Sequence, residues 1–422
     1  MVLLAMVFVA MMLSITAAIS IARALVVKSE CECFGHVWTK AILSEYDLNL
    51  LNDYNLMAYW GNEAEIQKKI NVYLDYSAGN KLDASIGNVA SELKGYELGD
   101  VENFRKAVKA SFAYSAIDSV INGKERQVRK DDDEDDYGSR SVVNPVVIDT
   151  LPSNGVHGKP NTGSLEDNRD ADTAVKNLLD SAKNFGAEMA FINKYLGSHV
   201  TRGSGQNGFM KNEWEYIISG DNSDEENYEY CRNCIILIRE AANVAYLLKD
   251  PEKMEVVSSI SQCLTPGPAG LLTTSVIVGI WASVETKMDM DTLLDNGRVP
   301  FVKTAETWRT DVDSLLSSDD FDDKLDDDSR DALGDEEDDI KEMNGASGEN
   351  GSWSDGQTYD EYLMVLMMLV NKDVRTLRLM DIIQINMKYW HYKDFNMMEY
   401  FTGVRYSINA NGKNYDFEEC YK

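Results

Sequence analysis

The first spacing in this chain that could do chemistry is Gly203-Ser204-Gly205-Gln206-Asn207-Gly208, a GxGxxG run of the kind that cradles a phosphate on backbone amides. That mechanism needs a strand before the run and a helix opening on its third glycine. Here a helical pattern precedes it, and the run reads as a flexible loop. Cys231-Arg232-Asn233-Cys234 is a CxxC pair, which in a thioredoxin-like setting would hold a thiol of lowered pKa, but no βαβ pattern surrounds it. Joined to Cys31 and Cys33 it could form a four-thiolate zinc site, across a gap too long for the usual ligand spacing. All six cysteines, Cys31, Cys33, Cys231, Cys234, Cys263 and Cys420, are expected as buried thiols or an occasional disulfide. His36, His157, His199 and His391 are scattered, with no HExxH, and Ser91-Glu92-Leu93-Lys94 matches SxxK no better than chance. The acidic runs Asp131 to Asp136 and Asp319 to Asp339 lack the alternating ligands, the sixth-place glycine and the twelfth-place glutamate of a calcium loop. They read as solvated, self-repelling segments. No catalytic residue, metal site or cofactor is therefore expected.

The elements that would position these residues are mostly helical. Glu30 to Tyr59 has Val37, Ile42, Leu43, Tyr46, Leu48, Leu51 and Tyr54 at helical spacing. Asn62, with Glu65 three residues on, resembles a capping box and opens a helix through Ile66, Ile70, Tyr73 and Leu74. Asp100 to Asn122 repeats the pattern, Gly123 to Thr173 loses it, and Ala174 to Leu196 resumes it. Tyr230 to Leu248 is apolar enough to be buried on nearly all sides, and Asp250-Pro251 stops it. Leu264 to Val284 is uncharged, but Pro266, Gly267, Pro268 and Gly270 break it early, which favours a core helix over a membrane span. An acidic and then Gly/Asn/Ser-rich segment runs from Ser314 to Gly356. Helices over Tyr359 to Val370 and Val374 to Tyr389 follow, then alternating strands about an Asn411-Gly412 turn, a β-hairpin.

Met1 to Ala22 carries no charge, and the run breaks only at Arg23. As a helix rising 1.5 Å per residue it would be about 33 Å long, enough to cross a hydrocarbon core of about 30 Å. A cleaved signal peptide, cut after Ala22-Arg23-Ala24, is the alternative, although no basic residue precedes the apolar run. Arg23 and Lys28 just after it would by charge alone place that end in the cytoplasm. Met1 sits inside the apolar run, so the true start is expected upstream, with basic residues of its own. The formal charge of −30, from 41 basic and 71 acidic residues, argues against a nucleic-acid partner.

At Trp214 to Lys253 the chain resembles a known group. Glu215-Tyr216-Ile217-Ile218-Ser219-Gly220, Ser223-Asp224-Glu225-Glu226-Asn227, Ile235 to Asn243 with Arg239-Glu240, and Tyr246-Leu247-Leu248 are similar to an uncharacterised family from Gram-positive anaerobes. Its members have a pilin-like membrane helix and are placed with tight-adherence (Tad) pilus loci. Gly297-Arg298-Val299-Pro300 with Lys303 and Trp308, Tyr359 to Leu369, and Arg378 with Asp381 to Asn386 extend the match, as do Leu43 to Asp47 and Tyr54 to Leu56. The resemblance implies a TadE/TadG-like pseudopilin or surface protein with its body outside the cell. Two departures from the family stand out: its charged leader before the apolar helix is missing here, and the paired cysteines are peculiar to this sequence. Glu215, Asp224 and Asn227 also fall where one helix ends and the next is capped, with Ser223 or Asp224 as cap. Arg239 and Glu240 need partners if buried, and Arg378 could pair with Asp381 at i and i+3. Structural ion pairs are expected here ahead of a ligand site, with Asn243, Lys303 and Trp308 among the same motif residues.

The expected fold is α+β and predominantly α: one N-terminal transmembrane helix continuing into a helical body with a C-terminal β-hairpin. Its segments are 1–27, the membrane helix; 28–122, the first part of the body; 123–173, a linker; 174–316, a central helical part; 317–357, a second linker; and 358–422, the C-terminal helices and hairpin. The expected role is structural or assembly work in a Tad-type surface apparatus, anchored through residues 1–22 and partnered by other pilin-like proteins. A surface ligand-binding or adhesin module is the alternative, with an unknown small-molecule ligand. A cell-envelope hydrolase ranks last.

Overall fold

The computed structural model describes residues 2–77, 86–122, 127–128, 151–154, 158–159, 186–203, 208–267, 270–323, 333, 340 and 353–421. The acidic run 131–136, nearly all of linker 123–173, most of linker 317–357, the helical pattern over 174–185 and positions 204–207 of the GxGxxG loop lie outside these residues. The fold is α+β and mainly helical, and it divides into two compact units, Met1–Lys124 with Asn386–Lys422, and Glu125–Ile385.

In the first unit α1 (Val2–Leu43) is one unbroken helix. Residues 3–26 are exposed throughout, and this stretch is long and apolar enough to cross a membrane. Two of its hydroxyls bond back to the helix: Ser14 Oγ donates to the Ala10 carbonyl at 2.9 Å and Thr16 Oγ1 to that of Met12 at 2.6 Å. From Val27 the same helix carries an apolar stripe, Val27, Cys31, Phe34, Trp38 and Ile42, at the spacing of one helix face. Next come α2 (Leu48–Tyr54), capped by Asp47, and the two-residue strand β1 (Tyr59–Trp60). Asn62 caps α3 (Glu63–Ser77), its side chain accepting the Glu65 amide at 3.0 Å, and α3 buries Ile66, Ile70 and Leu74. Strand β2 (Ile86–Glu92) and helix α4 (Val101–Asn122) complete this unit's N-terminal part.

The chain returns to this unit with β5 (Tyr400–Phe401), β6 (Gly403–Ala410) and β7 (Lys413–Cys420). Strand β5 pairs with β1, and β6 and β7 form the expected hairpin, with Asn411 at φ 53° and Gly412 at φ 77°. Two successive positive φ values match the twist of the flanking strands, which is why Asn-Gly occupies this turn. Strand β2, which its sequence does not announce, adds to the outer edge of β6 and makes an antiparallel sheet of order β2-β6-β7. The face carrying Val89, Val404, Tyr406, Ile408 and Phe417 meets the lower stripe of α1. Tyr406 Oη donates to the Gly35 carbonyl at 2.5 Å and accepts from Thr39 Oγ1 at 3.2 Å.

In the second unit β3 (Gln127–Val128) pairs with β4 (Thr201–Arg202). The helices described in this unit are α5 (Ala187–Tyr195), α6 (Glu213–Ser219), α7 (Asp224–Leu247), α8 (Pro251–Leu264), α9 (Gly270–Leu294), the short α10 (Val312–Leu316) and α11 (Asp319–Asp322), α12 (Tyr359–Leu369) and α13 (Lys372–Trp390) as far as Ile385. Ser223, not Asp224, caps α7, accepting the Glu226 amide at 3.0 Å. Asp250-Pro251 both ends α7 and starts α8, with Asp250 as cap and Pro251 at the first helical position, where a missing N–H costs nothing. Trp281 and Trp308 meet edge to face, ring centres 6.0 Å apart, in a core with Leu247, Val257, Ile260 and Leu315.

Gly35 makes the contact of α1 with the sheet checkable. A Cβ at that position would lie 2.2 Å from ring atoms of Phe417, which is itself buried in the core, so something must shift. Gly35→Val is expected to destabilise the first unit by about 1–3 kcal/mol, the usual cost of overpacking. The reading is the midpoint of thermal unfolding of the detergent-solubilised chain, and an unchanged midpoint would mean that helix and sheet do not pack this closely.

Candidate functional site

Among the described residues a set of buried charged side chains is gathered in one place in the second unit, and helical periodicity assembles it. On α9 the apolar face Val278, Trp281 and Ala282 continues into Glu285 and Asp289, four residues apart, so both carboxylates face inward. On α7 the buried face Ile235 and Arg239 continues into Asn243. The irregular segment after α9 supplies Lys303 and Arg309.

Asp289 stands at the centre. Its Oδ2 accepts from Arg239 Nε at 3.0 Å and Nη2 at 2.8 Å, and its Oδ1 accepts from Lys303 Nζ at 2.8 Å and Arg309 Nη2 at 2.5 Å. Lys303 also pairs with Glu285 and donates to the Thr307 carbonyl at 3.1 Å, so all three ammonium protons are used. Glu285 in turn accepts the amides of Arg309 and Thr310, the latter at 2.9 Å. Arg239 donates further to the carbonyls of Pro300 and Phe301 at 2.8 and 2.9 Å, to Tyr362 Oη at 3.2 Å and to Asn243 Oδ1 at 3.2 Å. Trp353 covers Lys303 and Arg309 with its ring, 5.4 and 5.2 Å from the two cationic groups.

The side chains of Arg239, Asp289, Glu285 and Lys303 are 0% exposed. Burial pushes the Asp289 carboxyl up, but Arg239, Lys303 and Arg309 overcome it and hold it below the usual carboxylate range. Burial lowers the Lys303 ammonium in spite of Asp289 and Glu285. Three cations thus face two carboxylates; backbone carbonyls and the side chains of Tyr362, Asn243 and Thr292 accept further donors, while Arg309 Nε has no hydrogen-bond partner. What this arrangement does chemically is fix segment 299–310 to α7 and α9. Arg239, Asn243, Lys303 and Trp308 therefore come together, Trp308 by donating to the Thr310 carbonyl at 2.7 Å. Glu240 is separate, half-buried and turned away, and its carboxyl is raised by burial. Sequence reasoning missed Glu285, Asp289 and Arg309. The signal available was two acids at i and i+4, in phase with the buried apolar face of α9.

A second group surrounds α6. Glu215 is wholly buried and accepts the His199 amide and Tyr359 Oη, each at 3.0 Å, through Oε1, while its Oε2 has no hydrogen-bond partner. Burial pushes this carboxyl up to about 8, against the bonds from His199 and Tyr359 that lower it. Asp224 accepts the amides of Lys211 and Asn212 at 3.1 and 2.9 Å. Asn227 closes the α6–α7 turn through Asp221 and Ser223. Arg378 does not pair with Asp381, although they lie three residues apart on α13. Its guanidinium donates to the carbonyls of Ile217, Ile218 and Gly158 at 2.7–3.0 Å. Asp381 instead accepts from the Ser153 amide and Tyr216 Oη, each at 2.9 Å, and burial lifts it to about 6. Both side chains leave the helix for α6, where carbonyls at its C-terminal end attract a cation.

None of the six cysteines is in a disulfide. Cys31, Cys231 and Cys234 are buried, Cys263 is half-buried, and Cys33 and Cys420 are exposed. Burial raises the Cys231 thiol well above its ordinary value, the opposite of a redox pair's requirement. Among the described residues no three His, Cys, Asp or Glu side chains stand close enough to hold a metal ion.

A family profile described as a family of unknown function (DUF5702) matches residues 102–412. No curated protein and no solved structure matches the chain.

Asp289→Asn is expected to cost about 3–5 kcal/mol, because it leaves buried cations without their counter-charge. Urea unfolding followed by tryptophan fluorescence measures it, and a loss below about 1 kcal/mol would mean that the cluster is solvated. Glu215 gives stability a sign with pH. Its folded pKa of about 8 lies above the ordinary 4.5, so the folded state binds the extra proton between these values. Stability therefore falls as pH rises from about 4.5 to about 8. Glu215→Gln, which mimics the protonated form, should flatten that slope in melts taken across the range, and an unchanged slope would assign it to other groups.

Proposed function

The chain belongs to the family of unknown function DUF5702, and on that footing we propose that it is a membrane-anchored structural or assembly component of a cell-surface apparatus, pseudopilin-like in design, with its body outside the cell. One observation carries this reading: α1 is continuous from Val2 to Leu43, yet residues 3–26 are exposed throughout while the stripe from Val27 to Ile42 is docked on a sheet. An apolar helix left bare over about 36 Å requires lipid or other apolar helices around it. Its lower half, locked to β6 and β7, makes it a rigid extension of a folded unit. That is what a subunit needs if it is to stand in a bilayer and be handed into a helical filament core. The resemblance to TadE/TadG-like proteins points the same way and supplies the outward orientation. The charged clusters of the second unit support a structural role over a hydrolytic one, since their side chains have no surface on which to meet a substrate.

Fractionating cells that produce the chain tests the anchor. The protein should sediment with membranes and resist alkaline extraction. Val9→Glu with Ile15→Glu should release it, since a charge at mid-membrane costs about 2.5–3.5 kcal/mol and neither residue contacts the body. Protease added to intact cells should cut the body, and protection there with cutting after lysis would put it in the cytoplasm. A photo-crosslinking residue at Leu13 should capture another membrane protein, whereas capture of lipid alone would leave α1 a simple anchor.

A further inference from the structure

An open cleft of ≈ 540 Å³ lies in the first unit, within the range of small-molecule sites. Its floor is one face of α3, where Glu65, Lys68, Lys69, Val72 and Tyr73 recur at i, i+3, i+4, i+7 and i+8, while the opposite face buries Ile66, Ile70 and Leu74. Glu45 and Asp47, from the corner between α1 and α2, form one wall, and Trp60 of β1 forms the other. Trp60 is 52% exposed, an unusual setting for a side chain of its size. It is not loose: its backbone pairs with Tyr400, and its indole N–H donates to Glu399 Oε2 at 3.2 Å. Much of the polar wall is pre-set by bonds within the unit. Lys69 pairs with Glu45, Tyr73 Oη donates to Glu45 Oε1 at 3.4 Å, and Asp47 Oδ2 accepts from Tyr400 Oη at 3.3 Å. The carboxylate of Glu65 and the ammonium of Lys68 are different: neither bonds to any other described residue, so an acceptor and a donor stand one helical turn apart with nothing to serve.

We propose that this cleft binds a neutral oligosaccharide of pyranose rings. A sugar ring has an apolar C–H face, which a fixed, exposed indole and the neighbouring Val72 and Tyr73 can take, and a rim of hydroxyls, each both donor and acceptor. Glu65 and Lys68 supply the two complementary groups that one hydroxyl rim needs. Charge disfavours anionic ligands: three carboxylates against two ammonium groups, in a chain of net charge −30, repel phosphates and acidic polymers. Shape excludes peptides. An extended peptide needs a free strand edge, and a helical one needs a continuous apolar groove, whereas this floor is a helix with charged residues on its first two turns. The cleft is open rather than enclosed, so a chain of rings can pass through with both ends in solvent.

The test titrates the full chain in detergent with three neutral four-ring probes, β-1,4-linked N-acetylglucosamine tetramer, cellotetraose and maltotetraose, by calorimetry. At least one should bind with a Kd below about 10 mM. Trp60→Ala should weaken it about tenfold or more, as expected for loss of an aromatic platform. Lys68→Ala, which removes a side chain bonded to no described residue, should weaken it about threefold or more with an unchanged melt, separating ligand contact from folding. No binding by any probe at about 10 mM overturns the proposal, as does binding that both substitutions leave unchanged. Cleft binding of an acidic or peptide probe instead would also overturn it. None of these outcomes depends on the membrane anchor, so the proposed function stands or falls separately.

Discussion

A carboxylate taken wholly out of water has to be met by cations, and Asp289 is met by three. The second unit depends on that requirement. Segment 299–310 has almost no ladder or helix of its own, yet it carries Lys303, Trp308 and Arg309 into the interior. Its own carbonyls at Pro300, Phe301 and Thr307 accept the protons that Asp289 and Glu285 leave over. The charges and the backbone therefore define one another's positions. A hydrophobic core can slide by a rotamer without losing much, whereas a guanidinium with every N–H directed at a partner tolerates one geometry. Such clusters are weak contributors to net stability, because removing ions from water is costly, but they hold register.

The first unit rests on a different constraint. Its core is built on a helix that has two environments along a single axis: bare apolar surface above Val27 and a packed sheet below it. Close approach at Gly35 and the Tyr406 hydroxyl on the Gly35 carbonyl fix where α1 crosses the strands. This fixes the angle at which the exposed stretch leaves the folded unit. The cleft floored by α3 belongs to the same unit and draws its walls from the chain that follows α1.

Much of this was legible in the sequence because it follows from period and punctuation. The apolar run to Ala22, the helix opening at Asn62, the stop at Asp250-Pro251 and the Asn411-Gly412 hairpin each rest on local signals, and each element is present. The third strand was not legible: Ile86-Gly-Asn-Val-Ala-Ser-Glu92 has little alternation and becomes a strand because β6 offers it an unpaired edge. The site was half legible. Arg239 and Lys303 stood out as charges that needed partners, but their partners lie 50 and 14 residues away on α9. For Arg378 and Asp381 the local rule misled. Adjacent turns of one helix suggested a pair, and the end of α6 offered each a better partner.

The first unit is made from two parts of the chain separated by the whole of the second, and Tyr406 reaches Gly35 across 371 residues. During synthesis the stripe Val27 to Ile42 is therefore made long before the strands that will cover it. At about 5–20 residues per second those strands emerge roughly 20–70 s later. For that interval the nascent chain presents an uncovered apolar helix face next to a segment suited to lipid, while the intervening unit has all its own parts and can close first. Biogenesis thus has a built-in order: the helix waits for strands made hundreds of residues later.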